Sequence, residues 1–387
     1  MEQAVTYRGL TWDHPRGHDA LAEAARLVNL DRAEPLIYWD KQPLEGFESA
    51  PIADLAAAND LIILDHPHVG EAVAEGCLIP LEELYSDEQI SAWDTESIGP
   101  SLASYHWGGK TWALPLDVAT QVVARRADRI EDAPNSWAEI EEIAKTVPVA
   151  LSVGGPHAFL NLISMAASEG FVAGGDQMLP DDIALASLDR MHRLSRNAPE
   201  GSGMLNPIEL FEEMAHGDEI AFIPLVFGYV TYAREGHTQH LITFSDTPRS
   251  ERGFGGVLGG TGIGFSKRAQ PSQELLDHIA WLMTPETQTV FFPKHGGQPS
   301  ARTAWQNQSV NADWGNFYSN TFDTAEHALL RPRYDGYIKF QTDAAARIRN
   351  ALSKGEDTYK TLIALRSLWQ NSRANARGET EIKRIAK

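Results

Sequence analysis

The sequence predicts a two-lobed α/β protein, each lobe a mostly parallel sheet flanked by helices, with a helical C-terminal section. Three observations predict it. At 387 residues the chain is too long for one ordinary hydrophobic core, so two domains are the natural arrangement. Its first third alternates strand and helix, the pattern of an open parallel sheet. Two β-prone segments, around Asp117 and around Gly260, then stand where the chain can cross between lobes.

Taken in order, residues 5–12 (VTYRGLTW) read as a strand, and residues 18–29 place Leu21, Ala24, Ala25 and Val28 on one helical face. Residues 36–39 form a second strand and residues 52–58 a helix. The apolar run LIIL at 61–64 suits a parallel strand buried on both faces. A helix over 70–76 ends on glycine. Gly108-Gly109, between β-prone runs, predicts a tight hairpin turn, and its return strand leads to Asp117. The middle segment is mainly helical. Ser136 with Glu139 forms a capping box, and Asn206-Pro207 opens another helix. Residues 220–224 read as a buried strand. LGGTGIGFS at 258–266 is the second crossing, residues 274–283 form an amphipathic helix, and one long amphipathic run is expected over 344–371.

Composition narrows the function. The formal charge is −20, from 53 acidic against 33 basic residues, which repels phosphate backbones and anionic membrane surfaces. Nucleic acid is therefore not an expected partner. No stretch approaches the roughly 20 apolar residues of a spanning helix, so no membrane insertion is expected. The start, MEQAVTYRGLTW, has no basic region, apolar core or small-residue cleavage site. As written, the chain is expected to be cytoplasmic, unless a signal was removed and a Met added. The one cysteine, Cys77, excludes an intrachain disulfide and reads as packing.

Five segments, in order, resemble motifs of the extracellular solute-binding protein family 1 of ABC importers, the group of the maltose-binding protein. GKTWALPLDVATQVVARRADRI (109–130) is similar to G-x-x-[WY]-A-[LV]-P followed by a crossing strand. APNSWAEIEEIAK (133–145) resembles P-x-T-W-x-E. FEEMAHGDEIAFIP (211–224) resembles F-x-x-G-x-A-A-[MF]. GGTGIGFSK (259–267) resembles the return strand G-G-x-x-x-x-[IV]-S-K. Residues 275–302 resemble A-x-x-F-x-x-[FW]-L-x-x-P-E-x-Q followed by G-x-x-P-x-R. The resemblance implies the two-lobed type II periplasmic binding protein fold. It implies a periplasmic location, permease subunits as partners, a monomer, a small-molecule ligand leaning toward carbohydrate, no cofactor and no catalysis. Lobe one would be residues 1–115 with 260–310, lobe two 118–257 with 312–387, and the hinges would lie near 116–118 and 257–260.

In open parallel sheets ligands sit beyond the carboxyl ends of the strands. Two strand ends here carry Asp-His-Pro. The first supplies Trp12, Asp13, His14 and Arg16, and the second supplies Asp65, His66 and His68. Asp and Pro are also ordinary turn formers. Asp117 marks the hinge. His157 opens a helix after Gly154-Gly155-Pro156, where backbone N–H groups suit a carboxylate or other anionic group. Gly260 and Thr261 let backbone approach a ligand. Through the resemblance, Tyr229 is an aromatic wall, and His295 and Arg333 are cleft contacts. Trp12, Trp107 and Tyr229 can stack on a sugar or cage a quaternary ammonium. The ligand class stays open among sugar, carboxylate and betaine-like cation.

Enzyme signatures are wanting. Gly108-Gly109-Lys110-Thr111 imitates the end of a P-loop, but Ser104 stands at the first glycine and a strand follows. Two alternatives remain. One is a cytoplasmic sensor or buffer serving a catabolic pathway. The other is a metal-binding protein or hydrolase using the Asp/His-rich cleft, where Asp13, His14, Asp65, His66, His68 and His157 could gather.

Overall fold

The computed structural model describes residues 5–376. Met1–Ala4 of the opening stretch therefore lie outside the described residues. The first lobe begins with β1 (Tyr7–Trp12), α1 (Pro15–Asn29), β2 (Ile37–Gln42), α2 (Leu44–Ser49), α3 (Ile52–Ala58) and β3 (Leu61–Leu64). It continues through α4 (Val69–Glu75), β4 (Leu78–Ile79), α5 (Asp87–Glu96), β5 (His106–Trp107) and β6 (Lys110–Thr111). The thirteen-residue β7 (Leu114–Arg126) then enters the second lobe. There follow α6 (Trp137–Ile143), α7 (His157–Ser168), α8 (Asp181–Ser195), α9 (Pro207–His216), β8 (Phe222–Phe227) and β9 (Ile242–Ser245). β10 (Leu258–Ser266) returns, followed by α10 (Gln273–Leu282), α11 (Phe292–Lys294), α12 (Arg302–Trp305) and α13 (Gln308–Asp313). α14 (Phe317–Asn320), α15 (Phe322–Glu326), α16 (Tyr337–Lys354) and α17 (Thr358–Ala374) complete the chain.

One sheet runs through the molecule in the order β2-β1-β3-β10-β7-β8, with β4 also on β10 and β9 also on β7. Here the structure differs from the sequence expectation, because the sheet is mixed. β1 pairs in parallel with β2 and β3. β10 runs antiparallel to β3 and β7, and β7 runs antiparallel to β8 and β9. The reason is the connection. β7 leaves the first lobe and β10 comes back beside it, so the two crossing strands must run in opposite directions.

Local chemistry sets the elements. All four residues of β3 are buried, each contributing about 1.5–3 kcal/mol of transfer free energy. The Ser136–Glu139 capping box is formed at α6, and Asn206 with Glu209 forms a second at α9. The β5–β6 hairpin turns at Gly108 and Gly109, both at positive φ. The long C-terminal run is two helices rather than one. Gly355, at φ +60, caps α16 in the left-handed region, and Asp357 caps α17 by accepting from Lys360 N.

The core falls into several clusters. Tyr7, Leu21, Leu61, Leu114 and Phe265 pack in the first lobe. Phe159, Leu188, Phe222, Phe340 and Trp369 pack on one side of the second. Val226, Phe211, Phe244, Trp305 and Phe317 pack on its other side. Among the described residues, no helix is long and apolar enough to cross a membrane.

Candidate ligand-binding site

β1, β3, β7 and β10 bring their polar ends to one place between the lobes. After β1, His14 is the N-cap of α1. Its Nδ1 accepts from Arg16 N at 3.1 Å, and Pro15 occupies the first helical turn. This cap turns Arg16 inward, where it is 6% exposed. The guanidinium grips Asp117 with two hydrogen bonds, Nε to Oδ2 at 2.9 Å and Nη2 to Oδ1, and donates to Gly228 O at 3.2 Å. It lies 4.8 Å from the Tyr229 ring centre and 5.9 Å from that of Trp12. Burial alone would lower its pKa, and Asp117 outweighs that, so the charge is held. Asp117 Oδ2 also accepts from Gln298 N at 3.2 Å, and Gln298 Nε2 donates to Val118 O at 3.0 Å.

β3 runs into Asp65. Its Oδ1 accepts from His66 N at 2.8 Å, and Arg331 Nη2 donates to both carboxylate oxygens, at 2.6 and 2.5 Å. Burial would raise the Asp65 pKa, but the Arg331 guanidinium holds the carboxyl well below the usual range. Arg331 also donates to Leu258 O at 3.1 Å, and its backbone N–H donates to His66 Nε2 at 3.3 Å. Burial, together with Arg331, pushes His66 down to about 4. Burial, with Arg16 close by, does the same to His14.

β10 passes β7 with a register shift between Thr261 and Gly262. Gly260 has φ +96, and a Cβ there would come 2.2 Å from Asp117 O, so only glycine fits this crossing. From the second lobe, His157 begins α7 with its ring 5.7 Å from Phe227. From the first lobe, α2 supplies Phe47, stacked on Trp12 at 5.1 Å, and Glu48, whose Oε1 lies 3.3 Å from His157 Nε2. That approach lacks hydrogen-bond geometry, and the nitrogen has no partner.

These groups enclose a cavity of about 50 Å³ lined by Trp12, Arg16, Leu44, Phe47, Glu48, Asp65, Ala119, His157, Pro207, Phe227, Tyr229, Gly259, Gly260 and Thr261. Trp12 Nε1, His157 Nε2 and Thr261 Oγ1 belong to this lining and are buried with no hydrogen-bond partner. Larger hollows of about 440, 590 and 490 Å³ lie elsewhere. The small one stands beyond the strand ends and gathers unsatisfied polar groups, the features of a ligand site.

Of the residues singled out in the sequence, Trp12, Arg16, Asp65, His157, Tyr229, Gly260 and Thr261 line this cavity. His14, Asp117 and His66 stand behind it, holding Arg16, Arg16 and Arg331 respectively. Four residues are elsewhere. Asp13 is exposed and pairs with Lys41 at 2.6 Å. His68 is buried with neither ring nitrogen bonded. His295 packs on Phe291. Arg333 donates to Ala103 O and Ser104 O and lines the 490 Å³ hollow. Its neighbour Arg331 reaches Asp65 instead, behind the cavity. Phe47 and Glu48 were not foreseen. Their one sequence signal is an aromatic-acid pair on a short helix before the cleft strand. Asp13, Asp65 and His68 do not converge, and among the described residues no group of three His, Cys, Asp or Glu side chains could hold a metal ion.

Solved structures share this architecture. An ABC transporter solute-binding protein from Agrobacterium radiobacter K84, in complex with ribitol, superposes with TM-score 0.80 at 17% identity, covering 95% of this chain and 99% of that one. Maltose-bound T. maritima MalE3 gives 0.77 at 15% identity, covering 94% and 98%. A solute-binding protein from Agrobacterium vitis S4 with bound D-mannitol gives 0.76 at 15%, covering 96% and 99%. At these identities the likeness is one of fold. No curated protein matches the chain in sequence. The family model described as bacterial extracellular solute-binding protein matches residues 47–318, and the chain belongs to that family.

Proposed function

We propose that the chain binds a small, neutral, hydroxyl-rich solute, a polyol or monosaccharide, in the cavity between its lobes, as the substrate-binding component of an ABC-type importer. One observation carries the reading. The unpartnered Trp12 Nε1, His157 Nε2 and Thr261 Oγ1 share one small cavity with the rings of Trp12, Phe47, Phe227 and Tyr229. An indole donor, an imidazole nitrogen and a hydroxyl offer mixed donors and acceptors, as a string of hydroxyls requires. Each costs free energy while buried without a partner, and a ligand hydroxyl relieves it. The rings suit the C–H faces of such a molecule.

The cavity, of about 50 Å³, has room for only a few waters, so any organic solute must part the lobes, and a small one parts them least. Proteins of similar fold hold ribitol, D-mannitol and maltose, all of them rich in hydroxyls. The lobes of this proposal are 5–115 with 260–301 and 118–257 with 302–376, because Trp305 is buried with Val226 and Phe317. A binding role is favoured because Asp65 and Asp117 are each tied to an arginine, which leaves neither free to take a proton.

A thermal-shift screen tests the reading. Pentitols, hexitols and monosaccharides should raise the melting temperature in a saturable way, and maltotetraose should not. Stabilisation by oligosaccharides alone would refute it, as would turnover of any ligand seen by NMR.

A further inference from the structure

We infer that Glu48 is the residue that selects ligand charge: its carboxylate holds the anion position at the start of α7 and keeps acidic sugars and other carboxylate-bearing solutes out of the cleft. The inference deepens the proposed solute reading and rests on it for the neutral half of the comparison.

The start of α7 is made to receive an anion. The twelve-residue helix opens after Gly154-Gly155-Pro156, its N-cap Pro156 provides no side-chain cap, and its first turn holds no acidic residue. The positive end of the macrodipole therefore has no negative partner in its own first turn. His157, the first helical residue, is 1% exposed and its Nε2 is unpartnered. Arg16 lines the same cavity. With nothing else present, this end would suit a ligand carboxylate.

Glu48 of the opposite lobe stands there instead. Its Oε1 is 3.3 Å from His157 Nε2, and a methyl group on Gly155 would come 3.4 Å from its Oε2. Among the described residues, the other carboxylates of the site are neutralised by arginine: Asp65 by Arg331 and Asp117 by Arg16. Among the described residues Glu48 has no such lysine or arginine partner, and its carboxylate beside His157 repels a second anion at the same place. A neutral hydroxyl can still donate to it.

The test compares wild type, Glu48→Gln and Glu48→Asp by calorimetric titration with glucitol and gluconate, and with ribitol and ribonate. Circular dichroism and melting curves check folding, and Glu48, at 20% side-chain exposure, is not a core position. Wild type and Glu48→Asp should bind the neutral member of a pair and reject the acid. Glu48→Gln should bind the acid at least about tenfold more tightly than wild type does, the scale of a partly buried charge at a helix end. Affinity of Glu48→Gln for the neutral member should fall about tenfold, because a ligand hydroxyl loses its charged acceptor, so the acid and the polyol move in opposite directions. If Glu48→Gln gains nothing for either acid, or if wild type already binds an acid as tightly as its polyol, the inference is overturned. If no neutral member binds any of the three proteins, the solute reading falls by itself, and the acid titrations still decide Glu48.

Discussion

After β1 the chain reads Asp13-His14-Pro15, and after β3 it reads Asp65-His66-Pro67. In the first loop the aspartate faces solvent and Lys41, the histidine caps a helix, and the buried charge is carried by Arg16. In the second the aspartate itself lines the cleft, locked to Arg331, and the histidine is buried edge-on to Tyr105. The strands differ in place. β1 pairs with β2 along its whole length, and Asp13 N continues the ladder to Gln42 O. β3 lies between β1 and β10, the strand that returns from the other lobe. The loop after β3 thus meets Arg331, while the loop after β1 meets the outer strand first. The same tripeptide takes its role from where its strand sits in the sheet.

The largest expected break in this comparison comes from the aspartates. Asp65→Ala strands Arg331, 3% exposed, and should cost about 3–5 kcal/mol, as for one half of a buried ion pair. Asp13→Ala should leave the urea midpoint unchanged, because its pair is at the surface. Equal losses would remove the distinction between the loops. Arg16→Met should be the next largest, about 3 kcal/mol, because Asp117 keeps only the Gln298 N–H.

The histidines are where the loops agree. His14 and His66 both fall from 6.5 to about 4 through burial beside an arginine. The unfolded chain then binds protons that the folded chain refuses. Through these histidines stability should fall as pH drops from about 6.5 to about 4, and below that the loss continues through Asp65, whose carboxyl Arg331 holds well below the usual range. His14→Gln and His66→Gln should each flatten the slope in that window by up to about 1.4 kcal/mol per pH unit. Urea unfolding at stepped pH reads this directly.

The smallest effect sharpens the site alone. Trp12→Phe keeps a ring against Phe47 and removes an N–H that has no protein partner. Folding stability should barely change, while ligand affinity drops about fivefold, the loss of one hydrogen bond.

Much of the fold was legible because it is written locally. The LIIL strand, the Ser136–Glu139 box and the Gly108-Gly109 turn each follow from neighbours in sequence. The site was half legible. Strand ends point to Trp12, Arg16 and Asp65, but nothing local tells Arg331 from Arg333, two residues apart. Only packing against Asp65 and Leu258 O decides that. Glu48 was invisible for the same reason, since the residue it faces, His157, comes from the other lobe. The start of α7, read in the sequence as suited to an anion, lies beside Glu48, whose Oε1 is 3.3 Å from His157 Nε2.

The central claim is that a small hydroxylated solute satisfies the orphaned polar atoms between the lobes. Calorimetric titration of wild type and Thr261→Val with ribitol, mannitol and maltotetraose tests it most directly. Thr261 is 2% exposed with a bare hydroxyl, so the variant should fold at least as stably as wild type. The account predicts one-to-one binding of a polyol by wild type and about fivefold weaker binding by the variant. Preference for maltotetraose, or a polyol affinity indifferent to Thr261→Val, would contradict it.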